Sequence, residues 1–217
     1  MTDHYTDELF DITNAEKVIF PVSRLVVDPE RFADDKLESM AKIGLGVVYT
    51  HTSSLIKLRN TITAEQKQSL LDNYYYPHHQ NLETACQNAL NKHANCILFD
   101  CHSFPSQPLP YELKTSNSHQ RPEICIVTDS FHTSKQLEET LYSLFKQKGY
   151  DVAINTPFAG SLVPLKFYQQ DNRVQSVMFE IRRDLYMNEQ TGEKTANFNK
   201  VKLDIAEIIH DCHSIIF

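Results

Sequence analysis

In this 217-residue sequence, one histidine, one glutamate and several arginines fall at the polar ends of short apolar runs. The run NCILFDCHS (95–103) ends on His102 and Ser103, and VQSVMFEIRRD (174–184) carries Glu180, Arg182 and Arg183. Ser23 and Arg24 follow KVIFPV, Asp129 follows EICIVT, and Asn155 follows YDVAI. A histidine can ligate zinc, a carboxylate can take a proton from a metal-bound water, and an arginine can hold an acid through two parallel hydrogen bonds. This is the inventory for metal-assisted hydrolysis of a substrate that bears carboxylates. The same residues admit a plainer reading, in which His102 caps its strand and Glu180 pairs with an arginine.

Such residues form a site only if the runs that carry them are neighbouring strands. In open α/β sheets ligands bind outside the carboxyl ends of the strands, so Ser23, Arg24, His102, Ser103, Asp129, Asn155, Glu180, Arg182 and Arg183 are expected to converge on one edge. NCILFDCHS, EICIVTD, YDVAIN and VQSVMFEIRRD read as buried strands, and KVIFPVSRLVVD and GLGVVYTH as further β-branched strand candidates. Between them, Tyr5, Leu9 and Ile12 recur at helical spacing in residues 3–13. Residues 63–93 read as a long helix opened by a Thr63–Gln66 capping box and interrupted by Pro77 near Tyr76. SKQLEETLYSLFKQKG (134–149) reads as an amphipathic helix stopped by Gly149, residues 196–213 as a closing helix, and residues 104–122 as a loop. Alternating strands and helices imply an α/β fold in three layers, a mixed, mostly parallel sheet with helices on both faces. With no repeat and no linker, residues 1–217 are expected to form a single domain.

Composition narrows the function classes. Hydrophobic residues are 41% and charged residues 23% of the chain, the balance of a globular protein. A net charge of −7 argues against nucleic-acid and anionic-membrane partners. No run reaches the roughly 20 apolar residues of a membrane span, and MTDHYTDELF lacks the basic flank and apolar run of a secretory signal. The five cysteines contain no CxxC pair, which speaks against a zinc knuckle or a disulfide framework and for a reducing, cytoplasmic location. Ten histidines against five glycines make a metal or proton-transfer site worth seeking.

Six segments, TDHYTDELF (2–10), SRLVVDPER (23–31), YYYPHHQNLE (74–83), DCHS (100–103), NTPFAG (155–160) and FEIRRDLYMNE (179–189), occur in the order found in the N-formylglutamate amidohydrolase family. The chain resembles that family across nearly its whole length, and the family looks like a relative of zinc carboxypeptidases and zinc-dependent amidases. The resemblance implies a zinc-exopeptidase type of α/β fold and a Zn2+ cofactor. It implies His102 as a zinc ligand with Asp100 orienting it, and Glu180 as general base. Of the two acids four apart in TDHYTDELF, Asp3 and Asp7 on one helical face, it implies Asp3 as the carboxylate ligand. It implies Arg24 and Arg183 as the residues that bind the substrate carboxylates, with Arg31 and Asn155 assisting and His79 contacting substrate or donating a proton. Arg182 and Glu30 depart from the family pattern.

The implied reaction is hydrolysis of N-formyl-L-glutamate to formate and glutamate, a step of histidine degradation, with a small acidic molecule as partner. Family members begin with an apolar strand that ends in Pro-His-Ser, ahead of the segment matching TDHYTDELF. This sequence starts within that later segment, so the first ligand motif is expected to be missing. The alternative reading is then a catalytically weak or silent family member that binds an acidic small molecule. Its open sheet edge would favour a homo-oligomer.

Overall fold

Strand side chains alternate between two faces, and two nine-residue runs use this alternation to separate core from chemistry. In the computed structural model, which describes residues 2–115 and 121–216, these runs are β1 (Cys96–Phe104) and β4 (Val174–Arg182). With β2 (Ile124–Thr128) and β3 (Val152–Ile154) they make a four-stranded sheet in the order β1-β4-β2-β3. β1 pairs with β4 and β2 with β3 in parallel, while β2 runs antiparallel to β4. The fold is α/β with a mixed, mostly parallel sheet, as expected. Helices are α1 (Thr6–Leu9), α2 (Ala64–Leu70), α3 (Tyr76–His93), α4 (Glu112–Thr115), α5 (Lys135–Gln147) and α6 (Phe198–Ile216).

The chain divides into two compact units. One holds Asp3–Ala15, Ala89–Gln107 and the described residues from Arg121 onward, and contains the whole sheet with α1, α5 and α6. Its core joins Ile124, Ile126, Val177, Phe179 and Ile181 of the sheet to Leu137, Leu141 and Phe145 of α5 and to Val201, Ile205 and Ile208 of α6. Phe179 is the centre of this layer, with ring centroids 6.1 Å from Phe10, 5.5 Å from Phe99 and 5.4 Å from Phe145. On the opposite face Cys125, Val127 and Met178 pack against Phe158.

The other unit holds Glu16–Asn88 and residues 108–115. Its core of Val27, Val47, Leu71 and Tyr75 is fixed by long loops rather than strands. The two β-branched runs read as strands at 17–28 and 44–51 are irregular backbone with short turns and bends, with one isolated bridge between His51 and Lys57. The backbone bonds mostly within each run, Val26 N–H donating to Ser23 O at 2.8 Å and Thr50 N–H to Gly44 O at 2.8 Å, while Asp28 N–H donates across to Val47 O at 2.8 Å. Gly44 has φ 81°, and a Cβ there would lie 2.2 Å from His51 Nδ1, so the turn requires glycine.

Several helix expectations are realised with altered ends. The Thr63–Gln66 capping box forms in both directions, at 3.2 and 2.9 Å. The long helix is interrupted by a π-helical turn at Leu71–Tyr75, just ahead of Pro77, whose missing N–H breaks the regular ladder. Ser134 caps α5 through Leu137 N–H at 3.2 Å, and Gly149 follows with φ 91°. The helix expected over 3–13 shrinks to the single turn α1, because Tyr5 takes a left-handed φ of 64°. Asp3 precedes that turn and Asp7 is exposed on it, so the two acids do not share a helical face. Within the expected loop 104–122, residues 112–115 form a helical turn and 116–120 lie outside the described residues.

Asp204 on α6 is a buried anion that ties the helix to the segment entering β3. Tyr150 Oη donates to it at 2.7 Å and Lys200 Nζ at 2.6 Å. Burial opposes its charge, but the Lys200 and Tyr150 hydrogen bonds outweigh that and hold its carboxyl below the ordinary value. A depressed folded value stabilises the protein above the unfolded carboxyl pKa of about 3.9, and the gain is lost as pH falls through the folded value. Asp204→Asn is expected to lower unfolding free energy by about 1–3 kcal/mol at neutral pH and to flatten its decline below pH ~4, read from urea midpoints across pH.

Candidate active site

His102 stands on the face of β1 opposite the core residues Ile97, Phe99 and Cys101, together with Asp100 two positions before it. It is 9% exposed. Its Nε2 lies 2.9 Å from Asp100 Oδ1, and its Nδ1 lies 3.6 Å from Asp3 Oδ1. Each carboxylate is placed by backbone. Asp3 Oδ1 accepts the Ser103 N–H at 2.9 Å, and Asp100 Oδ2 accepts the Leu162 N–H at 3.4 Å. Burial disfavours a charged imidazole here, yet Asp100 and Asp3 outweigh it and hold the His102 pKa well above its ordinary value.

Glu180 is the next residue along the same row. It pairs with His102 in the β1/β4 register and with Cys125 in the β4/β2 register, and it is 8% exposed. Burial pushes the Cys125 thiol up to about 11, so its sulfur stays protonated beside Glu180. Arg183 begins the turn after β4 and donates from Nε to Ser103 Oγ at 3.1 Å and from Nη2 to Ser103 O at 2.9 Å. The unit that holds the sheet thus gathers Asp3, Asp100, His102, Glu180 and Arg183 near the carboxyl ends of β1 and β4.

The expected convergence of every strand end on this edge does not occur. In the antiparallel β2/β4 pairing, Thr128 lies opposite Val177 while Cys125 lies opposite Glu180. The carboxyl ends of β2 and β3, with Asp129 and Asn155, are therefore at the other edge of the sheet. Asn155 joins those two strand ends: its Oδ1 accepts the Thr128 N–H at 2.9 Å and its Nδ2 donates to Thr128 Oγ1 at 2.8 Å. Arg182 turns to Asp184, at 2.8 Å, and to the Arg121 carbonyl, at 2.6 Å.

Arg24, Arg31 and His79 belong to the other unit, where Asp28 is the common partner of the two arginines. Asp28 is fully buried, with Oδ2 3.9 Å from Arg24 Nη1 and 3.7 Å from Arg31 Nε. Tyr49 Oη donates to the same oxygen, and the Glu30 N–H donates to Oδ1 at 3.0 Å. Burial and the Asp28 charge push the Tyr49 phenol well up, so it remains a donor. His79 donates from Nε2 to the Pro29 carbonyl at 3.0 Å, and burial lowers its pKa against the pull of that bond. The tyrosine had no sequence signal of its own, because GLGVVYTH reads as a strand in which alternation assigns Tyr49 no partner.

A family model for N-formylglutamate amidohydrolase matches residues 1–187. Among solved structures, the chain is similar to the crystal structure of N-formylglutamate amidohydrolase from Ralstonia eutropha JMP134, with a TM-score of 0.73 and 22% identity over 88% of this chain and 74% of that one. It is also similar to a gene product from Agrobacterium tumefaciens, with a TM-score of 0.64 and 17% identity over 89% of this chain and 69% of that one. At these identities the likeness is one of fold. No curated protein matches the chain.

The buried Asp28 loses its hydroxyl donor in Tyr49→Phe. This variant is expected to be destabilised by about 1.5–3 kcal/mol, the range for hydrogen bonds to charged groups, as measured by urea unfolding.

Proposed function

The chain belongs to the N-formylglutamate amidohydrolase family, and on that premise we propose that it hydrolyses the amide of an N-formyl amino acid such as N-formylglutamate, releasing formate and the free amino acid. One observation carries the proposal: His102 lies between two carboxylates, with Glu180 one strand away on the same face. Carboxylates at both ring nitrogens create a need for positive charge that the raised His102 pKa expresses. An imidazole and a carboxylate are zinc donor types, and they would supply two of the three protein ligands usual at a catalytic zinc. Nδ1 of His102 and Oδ1 of Asp3 would be the ligand atoms, and Asp100 would fix the ring from behind, a role such carboxylates commonly have. A zinc ion held there supplies Lewis-acid polarisation of the formyl oxygen and a water of lowered pKa.

The remaining steps fall to the chain itself. A Glu180 carboxylate oxygen takes the proton of the attacking water and returns it to the leaving nitrogen as the C–N bond breaks. The hydroxyl oxygen stays on the formyl carbon, so the products are formate and an amine, and Glu180 ends as it began. Arg183 offers a planar cation for a substrate carboxylate. Arg24 and Arg31, both tied to Asp28, have the same chemical capacity and are proposed as further carboxylate-binding residues.

Zinc content and hydrolysis of N-formylglutamate test the proposal together. Glu180→Gln is expected to retain zinc and lose about 10²–10⁴-fold in kcat. His102→Ala is expected to lose both metal and activity. Chelation should abolish turnover and added zinc restore it. Wild-type turnover in Glu180→Gln, or turnover indifferent to chelation, would overturn this assignment.

A further inference from the structure

Ser103 follows the proposed ligand His102 and is 4% exposed at the end of β1. Its polar groups divide between two tasks. The N–H donates to Asp3 Oδ1 at 2.9 Å, on the side of the proposed metal ligand. The carbonyl and Oγ both accept from Arg183, from Nη2 at 2.9 Å and from Nε at 3.1 Å. Tyr186, three residues after Arg183, ties the same turn to the N-terminal segment. Its hydroxyl donates to the His4 carbonyl at 2.8 Å. Burial pushes that phenol up to about 12, so it remains protonated.

A guanidinium is rigid and planar, and two bonds to one residue fix both the position and the tilt of the plane. Without the hydroxyl the Nε bond is lost, and with it one of the two points on Ser103 that set the plane. The hydroxyl therefore supplies the orientation, whereas the contact with Asp3 comes from the backbone and is independent of residue type. We infer that Ser103 is a positioning residue: its hydroxyl aims the Arg183 guanidinium at the substrate carboxylate, and its N–H independently holds Asp3. The inference rests on the proposed role of Arg183 in carboxylate binding. It divides the residue's influence cleanly, because removing the hydroxyl weakens substrate binding and leaves the Asp3 contact intact.

Three readouts on the full chain test this: KM and kcat for N-formylglutamate, bound zinc, and L-glutamate affinity by calorimetry. Ser103→Ala is expected to raise KM about tenfold and to weaken L-glutamate binding similarly, with kcat and zinc content retained. Ser103→Thr, which keeps the hydroxyl, should restore both affinities. If Ser103→Ala does not fold, Ser103→Cys, which replaces the hydroxyl by a weak acceptor, provides the same comparison. A loss of kcat or zinc with unchanged KM would overturn the inference. If the wild type does not turn over N-formylglutamate, the proposed function fails, and calorimetry decides this point alone: L-glutamate binding weakened in Ser103→Ala supports it. Binding that is equal in the two proteins, or absent from the wild type, overturns it.

Discussion

The two-residue period of β1 and β4 is the constraint on which the rest of the structure depends. Ile97, Phe99 and Cys101 on β1 and Val177, Phe179 and Ile181 on β4 pack into the helical core. The intervening positions bear Asp100 and His102 on one strand and Met178 and Glu180 on the other. A slip of one residue in either strand would exchange these sets, placing a carboxylate or an imidazole in the core and an aromatic ring on the polar face. The Phe10–Phe179–Phe99 stack resists such a slip. The side-by-side placement of His102 and Glu180 is thus inherited from apolar packing on the other side of the sheet.

Charge balance is the second constraint, and the two units meet it with opposite partners. Asp3, Asp100 and Glu180 surround or adjoin one imidazole, so carboxylates dominate the sheet site and favour positive charge on His102. Around Asp28 the inventory is reversed: one fully buried anion has two arginines and a tyrosine hydroxyl as partners. A buried carboxylate is costly to leave unpaired, and removing one partner of such a group typically destabilises more than the pair itself stabilises. Both arrangements persist in a chain of net charge −7, because local pairing rather than the overall charge sets the potential a small ligand meets.

Some of this organisation was legible in the sequence, for definable reasons. A continuous apolar run marks a buried strand, and the D-x-H spacing in DCHS puts Asp100 and His102 on one face without further information. Strand direction has no such signature. The antiparallel entry of β2 into the sheet depends on chain paths that periodicity does not record, so Asp129 and Asn155 were assigned to the wrong edge. The runs at 17–28 and 44–51 resemble strands because β-branched composition is the same whether the backbone pairs in a sheet or, as here, follows irregular loops with short turns and bends. The family resemblance implies Asp3 as a ligand beside His102; the two side chains lie 3.6 Å apart, but Asp3 is not on the helical face that its spacing to Asp7 suggests. The left-handed Tyr5 ends the helix before it reaches Asp3, which turns toward Ser103 instead.

The far edge of the sheet still acts on the site, through the segment that leaves it. Asn155 starts that segment with φ 52° and pins it to Thr128. The chain then crosses the polar face: Phe158 packs on Cys125, Val127 and Met178, with its ring centroid 5.3 Å from Phe104. Ser161 Oγ meets Ser176 Oγ at 2.6 Å, Ser176 Oγ donates to Leu162 O at 2.7 Å, and the Leu162 N–H reaches Asp100. Each contact narrows the freedom of the next, so the carboxylate behind His102 is set by a strap anchored at the opposite edge. The NTPFAG motif therefore has a physical rationale that requires no contact between Asn155 and a ligand: it begins the strap that carries a backbone donor to Asp100, the partner of His102.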